Sequence, residues 1–189
     1  MLIGFAANSS LARPKADGAV VGSHPLLPTC GACHGADGNA QIPGMPSLAG
    51  QPKIFIENQL VMIREGMRPV PQMQGMLDKV TDEDFVFFAK YFSELPVKQS
   101  TPQINAAKAK KGADIADRAL CASCHQKDYS GKEQMPRLAG QREDFLFTNM
   151  KQFRDGQAPG RDTIMVSTLR GMSDAQLSDL AHYFATLGK

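Results

Sequence analysis

The four cysteines of this 189-residue chain fall into two copies of one pattern, Cys-Xaa-Xaa-Cys-His. The copies are Cys30-Gly-Ala-Cys33-His34 and Cys121-Ala-Ser-Cys124-His125. Two cysteines at this spacing can each form a thioether with one vinyl group of a haem, and the histidine that follows can ligate the iron. The sequence therefore predicts two covalently bound c-type haems, each attached through both cysteines of a motif and ligated by its histidine.

Cysteine pairs of this kind also occur in other sites. Four cysteines can hold a structural zinc ion, and one pair can form a thioredoxin-like redox centre. The four cysteines could also form two disulfides. Here the pairs lie 91 residues apart, histidine follows each at once, and no strand–helix–strand pattern accompanies them. We therefore expect haem rather than zinc, a redox pair or disulfides.

The second half of the sequence repeats the first at an offset of 90 to 92 residues. The shared positions outside the cysteine motifs are Pro46-Ser-Leu-Ala-Gly-Gln51 with Pro136-Arg-Leu-Ala-Gly-Gln141, Phe55 with Phe145, Arg64 with Arg154, and Tyr91-Phe92 with Tyr183-Phe184. Such a series indicates two copies of one fold. We predict an N-terminal extension or signal remnant (1–22), a first domain (23–95), a proline-bearing linker (96–104) and a second domain (105–189).

Each copy has the apolar periodicity of helices, so we expect an all-α protein. One apolar stripe follows each Leu-Ala-Gly-Gln segment, and another follows Thr81-Asp-Glu-Asp84 and Ser173-Asp-Ala-Gln176, which have the form of capping boxes. A lead-in helix from Ala106 to Leu120 is expected only in the second copy, since Pro25 and Pro28 interrupt the first. No apolar run approaches the roughly 18 residues that span a membrane.

A haem iron held by histidine has a second face to fill, and methionine sulfur is a soft ligand that raises the reduction potential. Met73 and Met165 occupy equivalent places, 43 and 44 residues after the first cysteine of each motif. Met45 and Met135 are repeated too, but they follow the histidines by only 11 and 10 residues. We therefore predict Met73 and Met165 as the second axial ligands, with core filling as the alternative.

Other residues near the motifs are given supporting or surface roles. Pro46 and Pro136 follow the histidines by 12 and 11 residues, and their carbonyls are candidates to accept the second ring N–H of each histidine. The alternative is that each proline only stiffens a turn. His24 and His182 lie outside the motifs and are predicted to be surface residues.

Residues 28 to 188 resemble the di-haem cytochromes c4, a branch of the class I cytochromes c. The resemblance rests on the paired haem motifs, the paired Leu-Ala-Gly-Gln segments, the paired distal methionines and the final helices. It implies two tandem all-helical class I domains related by a pseudo-twofold axis, each enclosing one haem. It also implies the ligand pairs His34 with Met73 and His125 with Met165, the carbonyl role of Pro46 and Pro136, and propionates near the interface between the domains.

Two six-coordinate haems leave no open iron position, so the expected function is electron transfer and not catalysis. The predicted role is a bacterial periplasmic carrier between a quinol-oxidising complex or dehydrogenase and a terminal oxidase or reductase. The alternatives are a cytochrome subunit of a dehydrogenase complex, such as flavocytochrome c sulfide dehydrogenase, and a di-haem peroxidase. The first seven residues are apolar without a basic leader, so the export signal is incomplete. The net charge of +2 gives no indication of nucleic-acid binding, and peripheral membrane contact is compatible with the sequence.

Overall fold

The computed structural model describes residues 23–99 and 103–187, and these residues are helical with no β-strand. In chain order, the helices are α1 (Leu27–His34), α2 (Lys53–Arg64), a 3-10 helix (Pro71–Met73), α3 (Asp82–Glu94), α4 (Ala106–Arg118), α5 (Ala122–His125), α6 (Glu143–Arg154), α7 (Thr163–Leu169) and α8 (Asp174–Thr186). The all-α prediction is confirmed. Across the described ranges, we find no helix with the length and apolarity needed to cross a membrane.

Both predicted capping boxes form. The Thr81 hydroxyl accepts a hydrogen bond from Asp84 N, and the Asp84 carboxylate accepts one from Thr81 N, at 3.2 and 2.9 Å. Ser173 and Gln176 make the same reciprocal pair at the start of α8. These bonds satisfy backbone donors that have no partner inside the helix, and they fix where α3 and α8 begin.

Each repeat has a hydrophobic core of its own. We call residues 23–95 the first repeat and residues 105–189 the second repeat. The first core runs from Ile56 to Phe92 and is closed by the buried face of α3. The second core runs from Ile115 to Ala185 and is closed by the buried face of α8. Neither core contains a residue from the other repeat, as expected for two tandem copies of one fold. The exact domain boundaries stay predictions.

The Leu-Ala-Gly-Gln segments (residues 48–51 and 138–141, the LAGQ turns) join each core to its last helix. Gly50 N donates to the carbonyl of Phe92, and Gly140 N donates to the carbonyl of Phe184, each at 2.9 Å. Both glycines have a positive φ, 64° and 68°, in the left-handed region where a Cβ is unfavourable. The turn therefore requires glycine, and it directs the glutamine that follows out of its own repeat.

The lead-in helix α4 packs closely on α8. A Cβ placed on Gly112 would lie 2.1 Å from the carbonyl oxygen of Asp179 and 2.6 Å from Cβ of Tyr183. The glycine therefore sets the distance between the two helices, because the nearest atom is backbone and cannot rotate away.

Replacing Gly112 by alanine is expected to destabilise the second repeat. Alanine is favoured over glycine inside a helix by about 1 kcal/mol, but the forced separation of α4 and α8 costs about 1–3 kcal/mol and more than offsets that gain. Chemical unfolding of the holoprotein, followed by circular dichroism, should show a lower midpoint. Exposed Lys111→Ala on the same helix is the control, and a Gly112→Ala protein as stable as that control would contradict the packing.

His182 is buried, so its prediction as a surface residue was wrong. Only 5% of its side chain is exposed. Its Nδ1 lies 2.7 Å from a carboxylate oxygen of Glu143, and its Nε2 accepts a hydrogen bond from Asn105 N at 3.0 Å. Lys108 Nζ lies 2.6 Å from the other oxygen of Glu143. The imidazole thus links the starts of α4 and α6 to α8, and these contacts join residues 39 and 77 positions apart.

His24 is half-buried, and it too is not simply a surface residue. Its Nδ1 accepts from Leu26 N at 3.1 Å, its Nε2 lies 3.0 Å from Asp84, and its ring packs edge-on against Phe88 at 4.6 Å. His24 therefore covers part of α3. In the second repeat, the corresponding side of α8 is covered by α4.

The predicted absence of a lead-in helix in the first copy falls mostly on residues that lie outside the described ranges, so it stays a prediction. Pro28 does not exclude a helix altogether, however, since α1 begins at Leu27 and carries Pro28 in its first turn, where a missing N–H is tolerated. The predicted extension and incomplete export signal (residues 1–22) lie outside the described residues.

Candidate haem sites and the interface between them

Each cysteine motif ends in a short helix that presents its sulfurs and its imidazole together. Cys30, Cys33 and His34 lie in α1, while Cys121 is the residue preceding α5. Helical spacing of three residues places the two sulfurs of a motif on one side. All four cysteines are free thiols, and the described residues contain no cluster of three or more acidic, histidine or cysteine side chains that could hold a metal ion.

The two sulfurs of each motif differ in exposure. Cys33 and Cys124 are exposed, and Cys30 and Cys121 are partly buried. Burial raises the pKa of the Cys30 and Cys121 thiols. Each motif therefore has one sulfur beside the core and one sulfur that solvent reaches.

The two motif histidines are buried and held in one orientation. His34 Nδ1 lies 2.9 Å from the carbonyl oxygen of Pro46, and His125 Nδ1 lies 2.9 Å from that of Pro136. A carbonyl can only accept, so each Nδ1 carries the proton and each Nε2 is left as the metal-binding nitrogen. Burial lowers the pKa of both imidazoles, although the hydrogen bonds to the proline carbonyls act in the opposite direction. The lowered pKa favours the neutral imidazole, which is the form that ligates a metal.

His125 Nε2 is a buried polar atom without a hydrogen-bond partner. Leaving such an atom unpaired costs about 1–3 kcal/mol, so native proteins rarely do so without a reason. A haem iron would supply the missing partner. The donor set of two thiols, a pre-oriented imidazole and a surrounding apolar core therefore fits a covalently attached haem.

The predicted methionine ligands lie on the same cores as the cysteines. Met73 ends the 3-10 helix and packs with Cys30 against the first core. Met165 lies in α7 and packs with Cys121 against the second core. Near it, the carboxylate of Asp162 acts on His125, opposing the lowering of its pKa by burial. The ligand roles of both methionines stay predictions.

The LAGQ turns of the two repeats bind each other, which the sequence analysis did not predict. Gln51 Nε2 donates to the carbonyl of Arg137 at 3.0 Å, and Arg137 N donates to Gln51 Oε1 at 2.9 Å. Gln141 Nε2 donates to the carbonyl of Ser47, and Ser47 N donates to Gln141 Oε1, both at 2.8 Å. Ser47 and Arg137 are equivalent positions, as are the two glutamines, so the contacts have the twofold relation of the repeat.

The Arg137 side chain adds an unsymmetrical contact to this interface. It is 4% exposed, and its Nε and Nη2 donate to the carbonyl of Ala49 at 3.1 and 2.9 Å. Burial lowers its pKa to about 10, so it keeps its charge at neutral pH. The only signal in the sequence was that both turns carry the same glutamine; nothing in it indicated where that amide would bind.

Comparisons with known proteins agree with this geometry. The cytochrome c family model matches residues 109–188. Cytochrome c4 of Azotobacter vinelandii is 33% identical over 176 residues, which cover 84% of this chain and 84% of that protein. The chain belongs to the cytochrome c4 family. The crystal structure of reduced recombinant cytochrome c4 from Pseudomonas stutzeri superposes with a TM-score of 0.76 at 32% identity, covering 84% of this chain and 93% of that one.

Another similar protein is named for its role as an electron acceptor. The thiosulfate dehydrogenase electron acceptor of Thiomonas intermedia is 30% identical over 85% of this chain and 79% of its own length. Membership of the cytochrome c4 family confirms the predicted fold of all-helical class I domains and the two haem c groups. The protein is an electron-transfer cytochrome.

Proposed function

We propose that this cytochrome c4 family member carries electrons in the bacterial periplasm between a respiratory donor and a terminal oxidase or reductase. The two haems are held by residues 23–95 and 105–189. Their axial ligands are His34 with Met73 and His125 with Met165. The observation that carries the proposal is the buried, unpartnered Nε2 of His125, whose Nδ1 is fixed by Pro136.

The surrounding residues suit one-electron transfer. Each haem supplies a reversible ferric/ferrous couple when it is bound. The Pro46 and Pro136 carbonyls hold each imidazole in orientation and increase its basicity. Methionine sulfur favours ferrous iron and raises the potential. Both faces of the iron are then filled by protein, so the proposed chemistry needs no proton and no open coordination position.

The attachment residues give a direct test of the two-haem assignment. A Cys121→Ala/Cys124→Ala protein is expected to mature with one covalent haem, because a thioether cannot form without the thiol. Intact mass and the haem-to-protein ratio measure the loss. Ser123→Ala, between the same cysteines, is the control and should keep two haems. Two covalent haems in the double variant, or fewer than two in the unmodified protein, would overturn the assignment.

Absorption spectra separate a carrier from a di-haem peroxidase. A carrier shows two low-spin haems and a near-infrared sulfur-to-iron band from each. A high-spin haem that reacts with hydrogen peroxide would instead show an open iron and contradict the proposal.

A dehydrogenase is the more specific candidate donor, because the Thiomonas intermedia relative is named an electron acceptor of thiosulfate dehydrogenase. The holoprotein should then be reduced by a purified thiosulfate dehydrogenase with thiosulfate faster than by a quinol-oxidising complex with quinol. Faster reduction by the quinol-oxidising complex assigns the carrier to that donor. Stable copurification with a flavoprotein would instead identify a subunit of a flavocytochrome complex.

A further inference from the structure

A loop of the first repeat is bonded to a side chain of the second repeat. We call residues 40–46 the first loop. The Arg142 side chain, just before α6, donates from Nη1 to the carbonyls of Ala40 and Gln41, each at 3.2 Å. Ala40 is buried, and 16% of the Arg142 side chain is exposed. The start of the first loop is therefore bonded to a largely shielded guanidinium group of the other repeat.

Asp144, in the first turn of α6, binds the same loop further along. Gly44 N donates to Oδ2 of Asp144 at 2.9 Å. The carboxylate also accepts from Arg142, with Nε at 3.0 Å from one oxygen and Nη2 at 2.8 Å from the other. Such paired, charge-assisted hydrogen bonds fix the geometry of both partners. Arg142 and Asp144 therefore hold the first loop as one unit, which we call the α6 ion pair.

The first loop ends at the carbonyl that orients the first motif histidine. The Pro46 oxygen lies 2.9 Å from His34 Nδ1. The next residue, Ser47, is bonded to the Gln141 side chain through both its N–H and its carbonyl. The second repeat therefore holds the backbone on both sides of the Pro46 carbonyl, through the α6 ion pair before it and through Gln141 after it.

The α6 ion pair acts in one direction only. The equivalent positions of the first repeat are Pro52 and Ile54, whose side chains carry no polar atom. The first repeat therefore cannot hold the loop before Pro136 in the same way. That loop is closed by its own backbone, since Lys132 N donates to the carbonyl of Met135 at 2.9 Å and Met135 N donates back at 2.8 Å.

We propose that Arg142 and Asp144 are positioning residues for the axial histidine of the first haem, so that the potential of this haem depends on the second repeat. The proposal rests on the proposed ligation of that haem by His34. A hydrogen bond from an iron-ligating imidazole to a carbonyl fixes the ring and raises its basicity. A more basic ligand favours ferric iron, so a released first loop weakens this bond and shifts the first haem toward the ferrous state.

The test replaces both members of the pair, Arg142→Ala/Asp144→Ala, in the holoprotein. One cation and one anion are lost together, so the net charge is unchanged. A redox titration followed by the NMR signals of His34 and His125 reports each haem separately. We expect the equilibrium of the first haem to shift about threefold toward the ferrous state, which is about 28 mV at about 59 mV for each factor of ten. The potential of the second haem should stay unchanged.

Hydrogen exchange at the two histidine Nδ1–H groups is a readout that separates positioning from general packing. Exchange requires opening of the bond to Pro46, so NMR of the reduced variant should show exchange at His34 accelerated about tenfold. Exchange at His125 should not change. A purely structural role in joining the repeats would accelerate both, because Gln51 binds next to Pro136. Equal acceleration at both histidines, or none at His34, would overturn the proposal.

Lys110→Ala/Asp114→Ala is the matched control, because it removes another ion pair of the second repeat. Its side chains are 76% and 50% exposed, and both exchange rates and both potentials should stay as in the unmodified protein. Asp144→Asn is a milder variant that removes only the carboxylate charge, and exchange at His34 should rise about threefold. An unchanged rate in that variant would contradict the proposal even if the double variant failed to fold.

The haem assignments and the positioning role fail separately. Intact mass and the two sulfur-to-iron bands of the unmodified protein test the haems and their ligands. A missing haem or band there would overturn the proposed function. Two haems and two bands, together with equal exchange behaviour of His34 and His125 in the variants, would overturn only the positioning role.

Discussion

Met165→Leu is expected to lower the potential of the second haem by on the order of 0.2 V, within the roughly 0.8 V range that axial ligation covers. Leucine has nearly the volume of methionine, so the second core stays filled, but it offers no donor atom to the iron. The ferrous state loses its soft sulfur ligand. One of the two near-infrared sulfur-to-iron bands should disappear, and the haem should become high-spin and open to added ligands.

Met135→Leu is the matched control. Met135 is also repeated between the halves and also partly buried, yet it follows the histidine by only ten residues. Both bands and both potentials should survive its replacement. If Met165→Leu and Met73→Leu each keep both bands at full amplitude, the ligand assignment is wrong.

Replacing Gln51 and Gln141 together by alanine is expected to separate the unfolding of the two repeats. Each glutamine satisfies one buried N–H and one buried carbonyl of the other repeat. An unpaired buried group costs about 1–3 kcal/mol, and partial access of water reduces that cost, so the double variant should lose on the order of 4 kcal/mol. Each core belongs to one repeat, so the repeats should then unfold in two steps.

Denaturant unfolding of the holoprotein, followed by circular dichroism and by the haem absorption of each site, measures this separation. Gln157→Ala, at an exposed position outside the interface, is the control and should change the midpoint little. A double variant that unfolds at the midpoint of the control, in a single step, would show that these amides do not hold the repeats together.

Local chemistry explains which features could be predicted. The capping boxes at Thr81 and Ser173 formed where predicted, because their hydrogen bonds join residues only three apart. The position of α4 followed from its helix-forming composition. The hydrogen bond from each motif histidine to Pro46 or Pro136 spans a short loop, so the spacing along the sequence was enough to suggest it.

Contacts between distant segments could not be predicted. His182 was expected at the surface because a lone histidine on the last helix, beside its apolar stripe, carries no local sign of its partners. Its contacts come from Glu143 and Asn105, and burial of a polar ring is favourable only when such partners converge. The binding of Gln51 to Arg137 depends in the same way on how two repeats pack.

The sequence by itself determined two haem attachment sites, two copies of a helical fold and the residue types that could ligate iron. Covalent spacing and helical periodicity are properties of neighbouring residues, so they can be read along the chain. Only the tertiary structure decided that the LAGQ turns of the two repeats bind each other. Those contacts arise from the packing of residues roughly 90 positions apart. That packing depends on all the contacts of the fold together, so it cannot be read from neighbouring residues.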